Sequence, residues 1–419
     1  MRRLLLLAAV LLPLATACGT SRSVVPAPKP RPQFVVYTKP GASRHAPRSL
    51  WRAHLDGSHA KRLGTGSSPA VSPDGRSVAF VHHGHVLVIR SAGSAAKRVY
   101  SLKGSAPSLS SLGWAPDSRH LAFLTNGKLV LLDTVSRRAR TVHAKDYDTI
   151  DSFRFSPDSR EILYSVVRQI YIYALSWNGW PGYNPFSTRA YVVATTGGKP
   201  HRIGGKTATI GMFSPDSSKI VYASGGNIYV VPVRGGEAVR LTHEHRDSNP
   251  VWGKPGIAFL RGGRRGKLGD IWISDGTRRR PRQLTHAGAG MTPVMFSAKG
   301  NELLASNGGL WSVGSHWGGC AFCPAVVPVH TLIAPQSFVI QERVWAVDAR
   351  TGAARRIPPL GRGVRARGIS ADGHTVLASV DCSAPHGYVE TVPLRRGKPH
   401  VIARGSCDSS WSAGPQLPR

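Results

Sequence analysis

The residues best able to do chemistry are cysteines, histidines and a recurring aspartate, and their spacing limits what each can do. Cys320 and Cys323 form a Cys-x-x-Cys, with Cys382 and Cys407 further on. A thioredoxin-like role for the pair requires a βαβ context, which the surrounding sequence lacks. A four-cysteine zinc site is the alternative to disulfides. Histidines cluster as His82-His83-Gly84-His85 and His243-Glu244-His245. Alternate strand residues share a face, so His243 and His245 have metal-ligand spacing. Thr242-His243 is matched by Thr285-His286, however, which marks a repeat rather than a single metal centre. Asp74, Asp117, Asp158, Asp216 and Asp372 stand in copies of one phrase, as turn formers do and catalytic carboxylates do not. No Gly-x-Ser-x-Gly elbow, His-Glu-x-x-His or Gly-x-x-x-x-Gly-Lys-[Ser/Thr] loop occurs. The expectation is therefore no catalytic residue, no metal and no cofactor. Glu342 and Asp381 remain the two carboxylates to test for an exported hydrolase or lyase acting on a glycan or peptide.

The chain opens Met1-Arg2-Arg3, runs apolar from Leu4 to Leu14 and reaches Ala15-Thr16-Ala17-Cys18. A basic start, a short apolar run and small residues describe a secretory signal over residues 1–17. The run is shorter than the ~20 residues a membrane-spanning helix needs. Cys18 after three small residues resembles a bacterial lipobox, which implies acylation of Cys18 and an extracytoplasmic, membrane-anchored protein. The lipobox usually has Leu three places before the cysteine; here that place holds Ala15. Plain cleavage after Ala17 is the other reading. Residues 18–33 carry four prolines and no core pattern, and read as an extended tether.

The formal charge is +33, or +31 once Arg2 and Arg3 leave with the signal. Such a surface attracts anionic partners: phospholipid headgroups, acidic wall polymers or nucleic acid, the last excluded by export. Arg outnumbers Lys in a chain rich in Ala and Gly, so part of this charge is compositional.

The elements that must position these groups announce themselves as a repeat. Ser72-Pro73-Asp74-Gly75 precedes Val78-Ala79-Phe80. The phrase returns at Ala115-Pro116-Asp117-Ser118, Ser156-Pro157-Asp158-Ser159 and Ser214-Pro215-Asp216-Ser217. Degraded copies follow at Gly253–Gly256, Ser297–Gly300 and Ser370–Gly373. Pro fixes φ, Asp bonds nearby amides and Gly tolerates positive φ, so each phrase is a turn between antiparallel strands. A third apolar strand, a second tight turn and a fourth strand opening on Lys or Arg complete the unit. Four strands every ~40–45 residues is the signature of a propeller blade.

These phrases resemble the WD-like repeats of the TolB-type β-propeller family, whose unit reads Pro-x-Trp-Ser-Pro-Asp-Gly, then Ile-Ala-Phe, Ile-Tyr and Gly-Gly…Leu-Thr. Leu241-Thr242 and Leu284-Thr285 fit its ending, and the resemblance covers roughly residues 34–414. It implies an all-β propeller. TolB carries a further N-terminal α/β domain where this chain has only the Pro-rich stretch, so its transport role is not carried over. The hydrolase domain that accompanies propellers in prolyl-peptidase relatives is likewise expected to be absent.

Phe34–Tyr37 reads as a second strand with no first before it, and Ser409–Trp411 supplies the missing one. The two ends are thus expected to share a blade and close a ring of eight blades, with seven as the alternative. Two spacings are too long, and the extra residues fall around 177–188 and 311–342, between second and third strands. They bring Trp177, Trp180, Tyr183 and Phe186, then Trp311, Trp317 and Phe322. Aromatics in loops on a rigid scaffold fit a recognition surface, or alternatively a lid packed over the channel. Lys39, Arg44, Arg48, Arg261, Arg264, Arg265 and Lys267 fall in loops on the same face as a candidate anion-binding group. Cys382 follows a second strand and Cys407 precedes a first, which pairs them on that face and leaves Cys320–Cys323 as a clip. The expectation is a non-catalytic envelope protein that binds a protein or an anionic envelope component.

Overall fold

The computed structural model describes residues 34–411 apart from 42–45, 104–108, 146–147, 169–170, 173–181, 184–187, 206–207, 209–210, 264–267, 278, 289, 298, 308–309, 312–337, 341–342, 358–363, 370–374, 381–387, 395–396 and 405–408. For some strands beside those stretches only the backbone is described. No helix among the described residues is long and apolar enough to cross a membrane.

The described residues are all-β: eight antiparallel blades form an eight-bladed propeller. The weak copies at Gly253, Ser297 and Ser370 each mark a full blade, which decides for eight rather than seven. Blade 1 is shared by the chain ends as expected, from the inside outward Ser409–Trp411, Phe34–Lys39, Ser49–His54 and Lys61–Thr65. The innermost strand pairs only through Val35–Trp411, Val36–Ser410 and Tyr37–Ser409. The inner strands of blades 2 to 8 are Ser67–Val71, Leu109–Trp114, Asp148–Phe155, Met212–Phe213, Asp247–Gly253, Thr292–Phe296 and Val364–Ile369.

Alternation along each strand feeds two cores. Val35 and Tyr37 pack towards blade 8 against Leu377, Val389 and Ala403, while Phe34 and Val36 pack towards blade 2 against Val71, Val78 and Phe80. The same two-sided burial joins blades 2 to 7 in succession. The core is therefore a ring of inter-blade layers. Each buried Leu, Ile or Phe contributes about 1.5–3 kcal/mol.

The strand order creates two faces. Turns from first to second and from third to fourth strands lie on one, here the turn face; second-to-third and blade-to-blade connections lie on the other, the insertion face. The turn face is latched. The amides of Asp74, Asp117 and Asp158 donate to the hydroxyls of Ser118, Ser159 and Ser217 of the next blade at 2.9, 2.9 and 3.0 Å. Those serines hold φ of 59, 65 and 62°, a left-handed conformation that costs an L-residue about 1–2 kcal/mol. Blade 2 has Gly75 (φ 68°) in that place. Its neighbour, blade 1, is split by the chain ends and has no such turn, so nothing there needs an acceptor. At the rim, Lys61 donates to Ala92 O, Arg282 to Ala349 O and His400 to Asp56 O, each across a blade boundary.

Both insertions fall between second and third strands, of blades 4 and 7. In blade 4 the second strand runs to Arg168 and the third starts at Thr188, so the insertion opens earlier than expected and ends one residue sooner. It includes a two-stranded ribbon, Tyr171–Ile172 with Gly182–Tyr183. The blade 7 insertion does something composition did not foretell. Its Phe338–Ile340 pairs with the inner strand of blade 8, and Leu310–Trp311 pairs with Phe338–Ile340. Blade 8 thus becomes six-stranded, extended towards the central channel.

Candidate functional site

Six of the eight inner strands carry a β-bulge, between Ser67/Ala70, Leu109/Ser111, Ile150/Ser152, Ser248/Val251, Pro293/Met295 and Ala366/Gly368. A bulge leaves a residue unpaired and re-aims its side chain. In blade 4 that residue is Asp151. Ser165 donates a short hydrogen bond to its Oδ1, and Ser152 and Ser165 share a second hydroxyl–hydroxyl bond. Asp151 keeps partial exposure, yet the crowding around it pushes its pKa up to about 6, with the Ser165 bond pulling the other way. Arg154, further along that strand, is pushed down to about 10 by burial.

The other carboxylates of this region are committed. Arg261 forms a two-pronged pair with Asp247 at 2.7 and 2.8 Å, with the two residues 8% and 1% exposed. Its guanidinium lies 4.3 Å from the Trp272 ring centre. Arg261 is therefore structural, which removes it from the anion-binding group expected above: a fixed carboxylate already neutralises it. Asp148 meets Arg189 at 3.5 Å and Glu244 meets Arg246 at 3.3 Å. Asp270 accepts from the Thr285 hydroxyl and the Gly288 amide.

Arg48 is exposed just ahead of a third strand, and Lys39 lies 4.6 Å over the Trp51 ring. Tyr183 belongs to the blade 4 ribbon and Trp311 to the inner, channel-side one of the two strands added to blade 8. Trp177, Trp180, Phe186, Trp317, Arg44, Arg264 and Arg265 lie outside the described residues, as do Cys18, Cys320, Cys323, Cys382, Cys407, Glu342 and Asp381. The structure thus brings Tyr183, Trp311 and Arg48 to one face.

The threonines and aspartates of the repeat serve the repeat. The hydroxyls of Thr242 and Thr285 accept from the amides of Ile228 and Ile271, which accounts for the Leu-Thr ending. His245 is engaged by Asn227 and by the Arg240 guanidinium. Asp74, Asp158 and Asp216 each receive the serine hydroxyl two residues back and an amide two residues on. Among the described residues, no three His, Cys, Asp or Glu converge as a metal site.

Asp151 is the residue that sequence reasoning missed. Its signal was weak but present: a carboxylate inside a first strand, five residues ahead of the turn serine Ser156, where blade 2 has Ser67 and blade 3 Ser110.

No family model matches the chain. No curated protein matches it in sequence. Solved structures do resemble it. An oligogalacturonate lyase in complex with manganese aligns over 87% of this chain and 98% of its own at 12% identity, with a TM-score of 0.51. Dipeptidyl peptidase 4 from Porphyromonas gingivalis aligns over 88% of this chain and 57% of its own at 11% identity, also at 0.51. TolB from Acinetobacter baumannii aligns over 91% and 83% at 13% identity, with a TM-score of 0.40. At such identities the lyase and the peptidase testify to the fold alone: this chain is built as a β-propeller.

Proposed function

We propose that this chain is an exported, lipid-anchored propeller that binds, without transforming, a protein or anionic component of the cell envelope through its insertion face. The observation that carries this reading is the blade 7 insertion returning as two strands on the channel edge of blade 8. Paired strands give a long excursion a fixed root, as a recognition loop on a rigid scaffold requires. Across the ring, the other insertion leaves from blade 4. The non-catalytic part draws support from the carboxylates Asp148, Glu244 and Asp247, each held by an arginine, which leaves no matched acid–base pair among them. Acylation of Cys18 supplies the anchor in this reading, and disulfides between Cys382 and Cys407 and between Cys320 and Cys323 brace the insertion face.

The test is a pull-down from the native envelope with the full chain and with a variant lacking residues 312–337, which keeps both added strands. Loss of the bound set in the variant is expected; an unchanged set overturns the reading.

Asp151 favours one second reading, an exported hydrolase or lyase with that carboxyl as its acid or base. A reaction on glycans or peptides that Asp151→Asn abolishes, with the melting temperature retained, would replace the binding reading.

A further inference from the structure

The chain joins the ring at Phe34, the first residue of a second strand, and second strands start on the turn face. Residues 18–33 separate that point from the expected acylation site. The chain therefore enters the ring from the turn face. That face is also basic. Fourth strands also start there, and each of the eight contains a Lys or Arg while none contains Asp or Glu. Arg62, Lys97, Arg98, Arg202, Arg279 and Arg280 are exposed along this rim. Carboxylates of the same face stay charged but are held locally: Asp74, Asp158 and Asp216 close turns, Arg119 pairs with Asp133 at 2.6 Å, and Asp348 accepts from Thr351 and Arg350.

We infer that the turn face docks on anionic phospholipid headgroups, so that the insertion face points away from the bilayer towards its partner. The orientation rests on Cys18 as the anchor; the headgroup affinity rests on the rim alone. Each Lys or Arg close to an anionic bilayer raises affinity roughly fivefold.

The experiment uses the full mature chain with Cys18→Ala, so that no acyl group contributes, mixed with phosphatidylglycerol or phosphatidylcholine vesicles. Binding to phosphatidylglycerol at low salt and not to phosphatidylcholine is expected. Lys97→Gln with Arg98→Gln should weaken it roughly 25-fold, the product of two fivefold losses. Lys128→Gln with Lys145→Gln, equal in charge but on the insertion face, should change it less than about threefold by the same reasoning. Equal losses in the two pairs, or no phosphatidylglycerol binding by the parent, overturn the inference. Fatty-acid labelling of the wild type against Cys18→Ala reads the anchor separately. A failed anchor leaves the vesicle result standing, and failed vesicle binding leaves the anchor standing.

Discussion

The two faces of the ring are built to different standards. On the turn face one phrase recurs, and its aspartate amides, serine hydroxyls and a rim cation fasten blades 1 to 5 in succession. On the insertion face the strands bulge, two excursions break the repeat, and one of them crosses into a neighbouring blade. A propeller gains rigidity by repetition, so departures concentrate on the face that repetition leaves unused. The titrating groups divide in a related way. Local hydrogen bonds hold Asp56, Asp216, Asp275 and Asp348 of the turn face below the usual carboxylate range. Burial raises Asp151 on an inner strand to about 6 and Glu390, 4% exposed in blade 8, to about 7.

The sharpest challenge to this division is the Arg261–Asp247 pair, a rigid element at the irregular end of blade 6. Asp247→Ala leaves a buried guanidinium uncompensated and should cost about 3–5 kcal/mol in denaturant unfolding. Asp247→Ala with Arg261→Met should recover most of that. A loss below about 1 kcal/mol, the ordinary worth of an exposed pair, would show that face to be loosely built even there.

The next effect is in pH. Asp151 and Glu390 take up protons more readily folded than unfolded, so their contribution is complete below the unfolded values. It is lost as pH rises through about 6 and about 7. The turn-face aspartates act oppositely, and their contribution fades as pH falls below the usual carboxylate range. Stability should therefore peak in mild acid, and Asp151→Asn should raise the melting temperature at pH 7 more than at pH 4. After discounting for partial exposure the gain is about 1–2 kcal/mol. Equal shifts at both pH values would place Asp151 in open solvent.

The smallest effect separates a latch from a turn. Ser159→Ala keeps the left-handed strain and loses the bond from Asp117, costing about 1–2 kcal/mol. Ser159→Gly loses the same bond but relieves the strain and should be close to neutral. If both substitutions cost the same, the serine is merely a turn residue.

Much of this was legible in the sequence. Turn phrases, alternation and the out-of-phase ends carry local signals, so the eight blades, the shared blade 1 and both insertions could be read from residue order. What escaped depends on partners far along the chain. Phe338-Val339-Ile340 is an ordinary apolar triplet, and nothing local says that it will pair with Val364–Ile369 of blade 8. A bulge is defined against the partner strand, so the one at Asp151 could not be read from its own strand alone. Arg261 stands in a basic run that looks exposed until Asp247, fourteen residues earlier, is seen beside it.

The most direct test of the division between faces is photo-cross-linking in the native envelope. A benzoylphenylalanine replaces Tyr183 or Trp311 on the insertion face, or Arg76 or Lys254 on the turn face, in the full acylatable chain. Protein or wall-polymer adducts are expected from Tyr183 and Trp311, and phospholipid adducts from Arg76 and Lys254. Protein adducts from the turn-face positions, with none from Tyr183 or Trp311, would contradict the assignment of recognition to the insertion face.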